Sequence, residues 1–248
     1  MLDIIEHGEL AELKMHRPPV NALNHALLQS LLDGLESVQA AGTRGIIMSG
    51  QQGMFSAGID VPELLGLDRE AIHDFWSLLF RTTRALATSE VPVVAAITGH
   101  SPACGAVLAT HCDYRIGVAG EFKIGFNEVQ VGLPLPATIM VAFESLVGAR
   151  KAALLATQGR LLTMADAQQF GLVDELVAAE ELIDRSLEWL SNLNSLPPIA
   201  MNKTRLSGKS KLIAAFEVTD DVDRTTEYWF SAETQDAMKR LVASLGKK

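Results

Sequence analysis

The chain has 248 residues, 48% of them hydrophobic, enough for one large folded domain or a domain with a helical appendage. A net charge of −9 argues against general nucleic-acid binding and obliges any anionic ligand to find a local basic cluster. Two cysteines make neither a disulfide framework nor a zinc spacing, and no apolar run has the length to span a membrane, so neither a metal nor a membrane is expected. The N-terminus reads as neither a signal nor a transit peptide; the expected location is cytoplasmic, although a processed mitochondrial chain would read the same way.

Residues 2–16 read as a hairpin turning at His7-Gly8-Glu9, with apolar residues at 11, 13 and 15 on one face. Arg17-Pro18-Pro19-Val20-Asn21-Ala22-Leu23-Asn24 is a stiff turn ending in an N-cap, and a helix to about residue 40 follows. An apolar strand over 44–49 leads into Gly50-Gln51-Gln52-Gly53-Met54-Phe55-Ser56-Ala57-Gly58-Ile59-Asp60, a small-residue turn with Asp60 capping the next helix. Residues 70–88 form an amphipathic helix with Ile72, Phe75, Trp76, Leu79, Phe80 and Leu86 on one face. Such a face is ordinarily core; Trp76 and Phe80 are its candidates to meet a substrate.

The apolar run 91–98 is broken by Gly99, and Ser101 and Pro102 suit an N-cap and a first helical residue. Ala103 and Cys104 then fall in a first turn, whose N–H groups have no intrahelical partner and favour negative charge. Gly99-His100-Ser101-Pro102-Ala103 is one residue from the nucleophile elbow of serine hydrolases. That reading fails twice: the six histidines are all at 111 or before, and Pro102 cannot donate the oxyanion N–H that must follow the serine. Strands follow at 113–118 and 121–124, then the Gly- and Pro-rich loop Gly125-Phe126-Asn127-Glu128-Val129-Gln130-Val131-Gly132-Leu133-Pro134 with a carboxylate at its middle. Helices are expected at 137–147, 149–157 and 163–169, a strand at 172–177 and a helix at 179–193. After Pro197-Pro198 the chain turns helical and charged, with Lys203, Arg205, Lys209 and Lys211 close together.

Five stretches in register carry a resemblance: Arg17 to Asn24 as above, Phe55-Ser56-Ala57-Gly58-Ile59-Asp60, Pro92-Val93-Val94-Ala95-Ala96-Ile97-Thr98-Gly99, Cys112-Asp113-Tyr114-Arg115-Ile116, and Gly125 to Leu133. Together they resemble the enoyl-CoA hydratase/isomerase (crotonase) superfamily and, within it, the short-chain Δ3,Δ2-enoyl-CoA isomerases. The resemblance implies an α/β fold, the ClpP-like crotonase spiral of ββα units over residues 1–193, with a C-terminal helical region over 194–248 that serves trimerisation and coenzyme A contacts. It implies a homotrimer or dimer of trimers, an acyl-CoA substrate in fatty acid β-oxidation, and no cofactor beyond the coenzyme A of the substrate.

By position, the two backbone N–H groups that hold the thioester oxygen in the family fall on Ile59 and Cys104, the latter where glycine is usual. Ala22, Ser56, Ala57 and Ile59 fall on the coenzyme A cleft. Arg17 and the Lys203 to Lys211 cluster become candidates for its phosphates, the cluster from a neighbouring copy, and Leu135, Pro136, Ile139, Met140 and Phe143 for the acyl pocket. Of the two glutamates that hydratases use, the first position here is Val107 and the second is Glu128. Hydration needs a water and a proton handled together, whereas moving a double bond from β,γ to α,β needs one proton taken from the α-carbon and one returned at the γ-carbon, which one carboxylate can do. The sequence therefore favours an isomerase. A hydratase using Asp68, Glu63 or Glu90, another acyl-CoA enzyme such as a thioester hydrolase or decarboxylase, and a non-catalytic CoA-binding protein stay open.

Overall fold

The computed structural model describes residues 1–245, with ten strands and twelve α-helices among them. In chain order they are β1 (Leu2–His7), β2 (Leu10–Met15), α1 (His25–Ala40), β3 (Ile46–Ser49), β4 (Gly53–Met54), α2 (Val61–Leu64), α3 (Arg69–Ala87), β5 (Val93–Ile97), β6 (Gly99–Pro102), α4 (Cys104–His111), β7 (Tyr114–Val118) and β8 (Lys123–Gly125). A 3₁₀ turn (Glu128–Val131) precedes α5 (Ala137–Val147), α6 (Ala149–Gln158), β9 (Leu162–Thr163), α7 (Met164–Phe170), β10 (Glu175–Val177) and α8 (Leu182–Asn194). The chain ends in α9 (Pro198–Gly208), α10 (Ser210–Val218), α11 (Asp221–Trp229) and α12 (Ala232–Leu245).

The strands divide between a six-stranded sheet, ordered β1-β2-β3-β5-β7-β10, and a four-stranded sheet, ordered β4-β6-β8-β9. Each of β3–β4, β5–β6 and β7–β8 steps from the large sheet to the small one before a helix returns the chain, which is the expected spiral of ββα units. The central strands of the large sheet are parallel and their side chains alternate between two covered faces. Ile46, Met48, Val93, Ala95 and Ile97 face the main core beneath α1, α3 and α4, while Ile47, Val94, Ala96 and Ile116 meet Leu182 and Leu190 of α8. Continuous apolar runs, rather than alternating ones, follow from that double burial.

Most expected boundaries hold. The hairpin pairs His7 with Leu10, and Asn24 caps α1 by accepting the Leu27 N–H at 3.0 Å. Asp60 caps α2, accepting the Glu63 N–H at 3.1 Å. Two differ. The strand expected over 172–177 is only Glu175–Val177, because Leu172 and Val173 turn their N–H groups back to Ala167 O at the end of α7. Ser101 and Pro102 do not start a helix. They close β6, pairing with Ile124 and Gly125 of β8, and α4 begins at Cys104 behind Ala103.

The helices after 197 return to the core. Asp221 at the start of α11 accepts the N–H groups of Ala137 and Thr138 at 3.0 and 2.9 Å and the Thr138 hydroxyl at 2.7 Å, capping α5, whose own N-cap residue, Pro136, makes no side-chain cap. Thr234 of α12 donates to Gly132 O at 2.8 Å. Gly132 has φ +77°, and a Cβ there would sit 3.0 Å from Thr234 Cα, so only glycine allows this approach.

Candidate active site

The spiral repeat determines where the site lies. At the carboxyl ends of β4, β6 and β8, three successive strands of the small sheet, the chain delivers the Ala57-Gly58-Ile59 turn, the Ala103-Cys104 turn and the Asn127-Glu128 turn. All three line one pocket of about 480 Å³. The Phe55 N–H donates to His100 O at 2.9 Å and the Ala103 N–H to Gly125 O at 2.8 Å, so each turn is pinned to the next. Buried Asn21 braces the entry segment, donating from Nδ2 to Met15 O and Phe55 O at 3.1 Å each.

Ala103 was expected to offer a free N–H; its bond to Gly125 removes it. Its backbone instead takes φ 47°, ψ −123°, a region that L-residues with a Cβ rarely enter, and the strain turns the following peptide. The N–H of Cys104, at the start of α4, has no acceptor among the described residues, and neither has that of Ile59. The two turns touch at Gly58, which has φ +93° and where a Cβ would stand 3.2 Å from Ala103 Cβ and 3.5 Å from Cys104 N. Two adjacent backbone donors thus lack partners beside one cavity, an arrangement suited to an oxyanion.

Glu128 stands in the same pocket. As a residue it is partly exposed, yet both carboxylate oxygens are shut from solvent and neither has a hydrogen-bond partner among the described residues. Burial pushes its pKa up to about 7. Asn127 Oδ1, beside it, is buried and unpartnered as well. Burial, and then the nearby Glu128, raise the Cys104 thiol well above its ordinary range, so it is a neutral group there. A carboxyl poised near neutrality opposite two free N–H groups can take and return a proton while a neighbouring oxygen carries negative charge.

Among the described residues, the other carboxylate lining the pocket is Asp60, and it is occupied. Arg17 holds it at 2.7 Å, reaches Glu63 at 3.0 Å and donates to Ala22 O at 3.0 Å. Asp68 caps α3, and neither Asp68, Glu63 nor Glu90 lines the pocket. Val107 is fully buried in the core. Ala22, Ala57, Trp76, Phe80, Pro136 and Ile139 line the cavity as expected candidates.

Apart from Arg17, the remaining candidates do not line this pocket within a single chain. Ser56 is fully buried, donating to Asn21 O at 2.7 Å and accepting the Gly58 N–H, so it shapes the turn from behind. Leu135 packs on the main core, and Met140 and Phe143 with it, leaving Leu133 and Pro134 on the wall. Lys203 is exposed on α9 and does not line this pocket, nor do Arg205, Lys209 and Lys211. Arg17 reaches the pocket, but as the partner of two carboxylates rather than as a free cation. His100 is structural, its Nδ1 accepting the Lys123 N–H at 3.1 Å. The sequence reading missed Thr225, Met238 and Leu241, which close the pocket from α11 and α12. Their only signal was the apolar face of the last helices, which does not say what that face covers.

No helix among the described residues is long and apolar enough to cross a membrane, and no group of three or more His, Cys, Asp or Glu there could hold a metal ion. The profile of the family described as enoyl-CoA hydratase/isomerase matches residues 6–240. A human protein named enoyl-CoA delta isomerase 1, mitochondrial, is 30% identical over 217 residues, 86% of this chain and 72% of its own. A probable enoyl-CoA hydratase of Mycobacterium avium is 30% identical over 210 residues, 84% of this chain and 80% of its own. The crystal structure of human mitochondrial Δ3,Δ2-enoyl-CoA isomerase superposes with a TM-score of 0.94 at 27% identity, covering 99% of this chain and 98% of that one. The chain therefore belongs to the enoyl-CoA hydratase/isomerase family and is an acyl-CoA enzyme of the crotonase type.

Proposed function

We propose that the chain is an acyl-CoA isomerase that moves the double bond of a 3-enoyl-CoA to the 2-trans position, with Glu128 as the single proton carrier. The thioester oxygen accepts from the N–H groups of Ile59 and Cys104. Glu128 removes a proton from the α-carbon, the negative charge passes onto that oxygen as a dienolate, and the same carboxyl returns the proton to the γ-carbon. One oxyanion donor is worth about 2.7–4 kcal/mol and a positioned base about 10²–10⁴ in rate, enough for these parts to matter individually. A pKa of about 7 keeps Glu128 competent both to take the proton and to give it back.

The observation that carries the reading is the solitude of Glu128: it is the pocket carboxylate without a partner, while Asp60 is held by Arg17. The hydratase names among the relatives keep a second reading in play, but it needs another acid at the pocket, and Asp68, Glu63 and Glu90 do not line it. Fatty acid β-oxidation is the metabolic setting that fits such a reaction. We also propose assembly as a trimer or dimer of trimers through 194–248, supported by α9, which leaves Ile199 74% exposed. Coenzyme A is read as part of the substrate, and no other cofactor is assigned. A cytoplasmic or mitochondrial site of action is equally compatible with these residues.

The test supplies purified protein with 3-hexenoyl-CoA and, separately, 2-hexenoyl-CoA, following conjugation by absorbance and water addition by mass. Conjugation without hydration supports the isomerase; hydration at a comparable rate overturns the single-carboxylate reading.

A further inference from the structure

The pocket holds polar groups that the proposed proton transfer does not use. Trp76 lines it from α3, is 3% exposed, and its indole Nε1 is buried without a hydrogen-bond partner among the described residues. Its ring lies edge-on to Trp229, with centroids 6.0 Å apart. Thr225 lies four residues before Trp229 on α11, hence on the same helix face one turn away, and it too lines the pocket. Thr226 spends its hydroxyl on Val222 O at 2.8 Å; the Thr225 hydroxyl makes no such bond among the described residues. The surrounding wall is apolar: Leu79, Phe80, Met238 and Leu241.

A buried N–H left unpaired in an apolar wall is costly, and the hydroxyl of Thr225, lining the same pocket, can either donate or accept. We propose that Trp76 Nε1–H and the Thr225 hydroxyl form a polar subsite for a neutral oxygen on the acyl chain, a hydroxyl or a keto group. A chain hydroxyl accepts from Trp76 and donates to Thr225; a keto oxygen accepts from both. A chain carboxylate is disfavoured, because Arg17, the cation that lines the pocket, is already shared between Asp60 and Glu63. The inference rests on the reading of the pocket as an acyl-CoA site and adds an oxygenated substrate class to it.

Binding of saturated thioesters separates this inference from turnover. Calorimetry compares octanoyl-CoA with octanoyl-CoAs bearing one hydroxyl or keto group at successive carbons from the fifth outward, in the wild type, Trp76→Phe and Thr225→Val. The expected result is one position that binds about three- to tenfold tighter than octanoyl-CoA, the net worth of one or two neutral hydrogen bonds. That gain disappears in Trp76→Phe and shrinks in Thr225→Val. If every substituted chain binds no tighter than octanoyl-CoA, or the gain survives in both variants, the subsite is overturned and the indole N–H is satisfied by the Trp229 ring or by water. If octanoyl-CoA itself fails to bind, the acyl-CoA reading of the pocket falls first.

Discussion

Two buried polar regions of this molecule are built in opposite ways. At the end of α4, Asp113 is answered on every side: Arg205 donates to its two oxygens at 3.2 and 3.1 Å, Lys209 stands 2.8 Å away, and the Val93 N–H donates to it at 2.8 Å. Arg205 and Lys209 also bind the carbonyl oxygens of Ser89 and His111. At the pocket, Glu128, Asn127 and Trp76 hold buried polar atoms with no partner among the described residues. The paired cluster fastens the C-terminal helices to the central sheet and gives up its charges in doing so, although its two cations, Arg205 and Lys209, read from the sequence as candidates for substrate phosphates. The unpaired set costs stability and keeps its chemistry available. Charge density in a sequence does not separate the two; partners do.

The largest expected effect breaks the unpaired side. Glu128→Gln removes the base while keeping its shape, and conjugation of 3-hexenoyl-CoA falls by about 10²–10⁴ in kcat. The same variant sharpens the stability argument through pH. The Glu128 carboxyl titrates about 7 when folded against an ordinary 4.5, so the unfolded chain releases this proton first as pH rises, and wild-type stability declines between those values and stays lower above them. Glu128→Gln should therefore match the wild type near pH 4 and exceed it above pH 7 by up to about 3 kcal/mol in denaturant unfolding. Buried His111, held neutral with a pKa lowered by burial to about 4, acts in the other direction: its contribution is lost as pH falls from about 6.5 toward 4.

The paired side is broken by Asp113→Asn, which strands Arg205 and Lys209 in the interior. A loss of about 3–5 kcal/mol in unfolding free energy is expected. Smaller, and aimed at the junction of the donor turns, is Gly58→Ala. Its φ of +93° and the 3.2 Å approach to Ala103 predict a cost of about 1–3 kcal/mol, and a kcat loss approaching the roughly 10²-fold of one oxyanion donor, with KM less affected. The smallest is Lys203→Ala. This exposed side chain lies off the pocket, so stability should shift by less than about 0.5 kcal/mol; a salt-sensitive rise in KM would tie it to substrate phosphates across a copy-to-copy contact.

Local signals in the sequence carried much of this structure. Asn24 and Asp60 are caps because their short side chains reach the N–H three residues on, and Gly58, Glu128 and the apolar runs of β3 and β5 lie where the pattern puts them. What escaped depends on distant partners. Ser101-Pro102 has the chemistry of a helix start, but pairing with β8 holds it as strand and moves the start to Cys104. Ser56 and Leu135 sit beside the pocket in sequence and behind it in space. Thr225, Met238 and Leu241 were illegible because what they cover is set by Asp221 and Thr234 docking onto α5 and Gly132, contacts about a hundred residues apart.

The most direct test of one carboxyl acting at both carbons follows the proton itself. With 3-hexenoyl-CoA fully deuterated at the α-carbon and turned over in ordinary water, a buried, water-shielded Glu128 predicts product carrying a measurable fraction of deuterium at the γ-carbon, read by NMR. Product with deuterium wholly replaced by solvent hydrogen at that carbon, at every extent of reaction, would mean that a second acid completes the transfer and would contradict the single-carrier account.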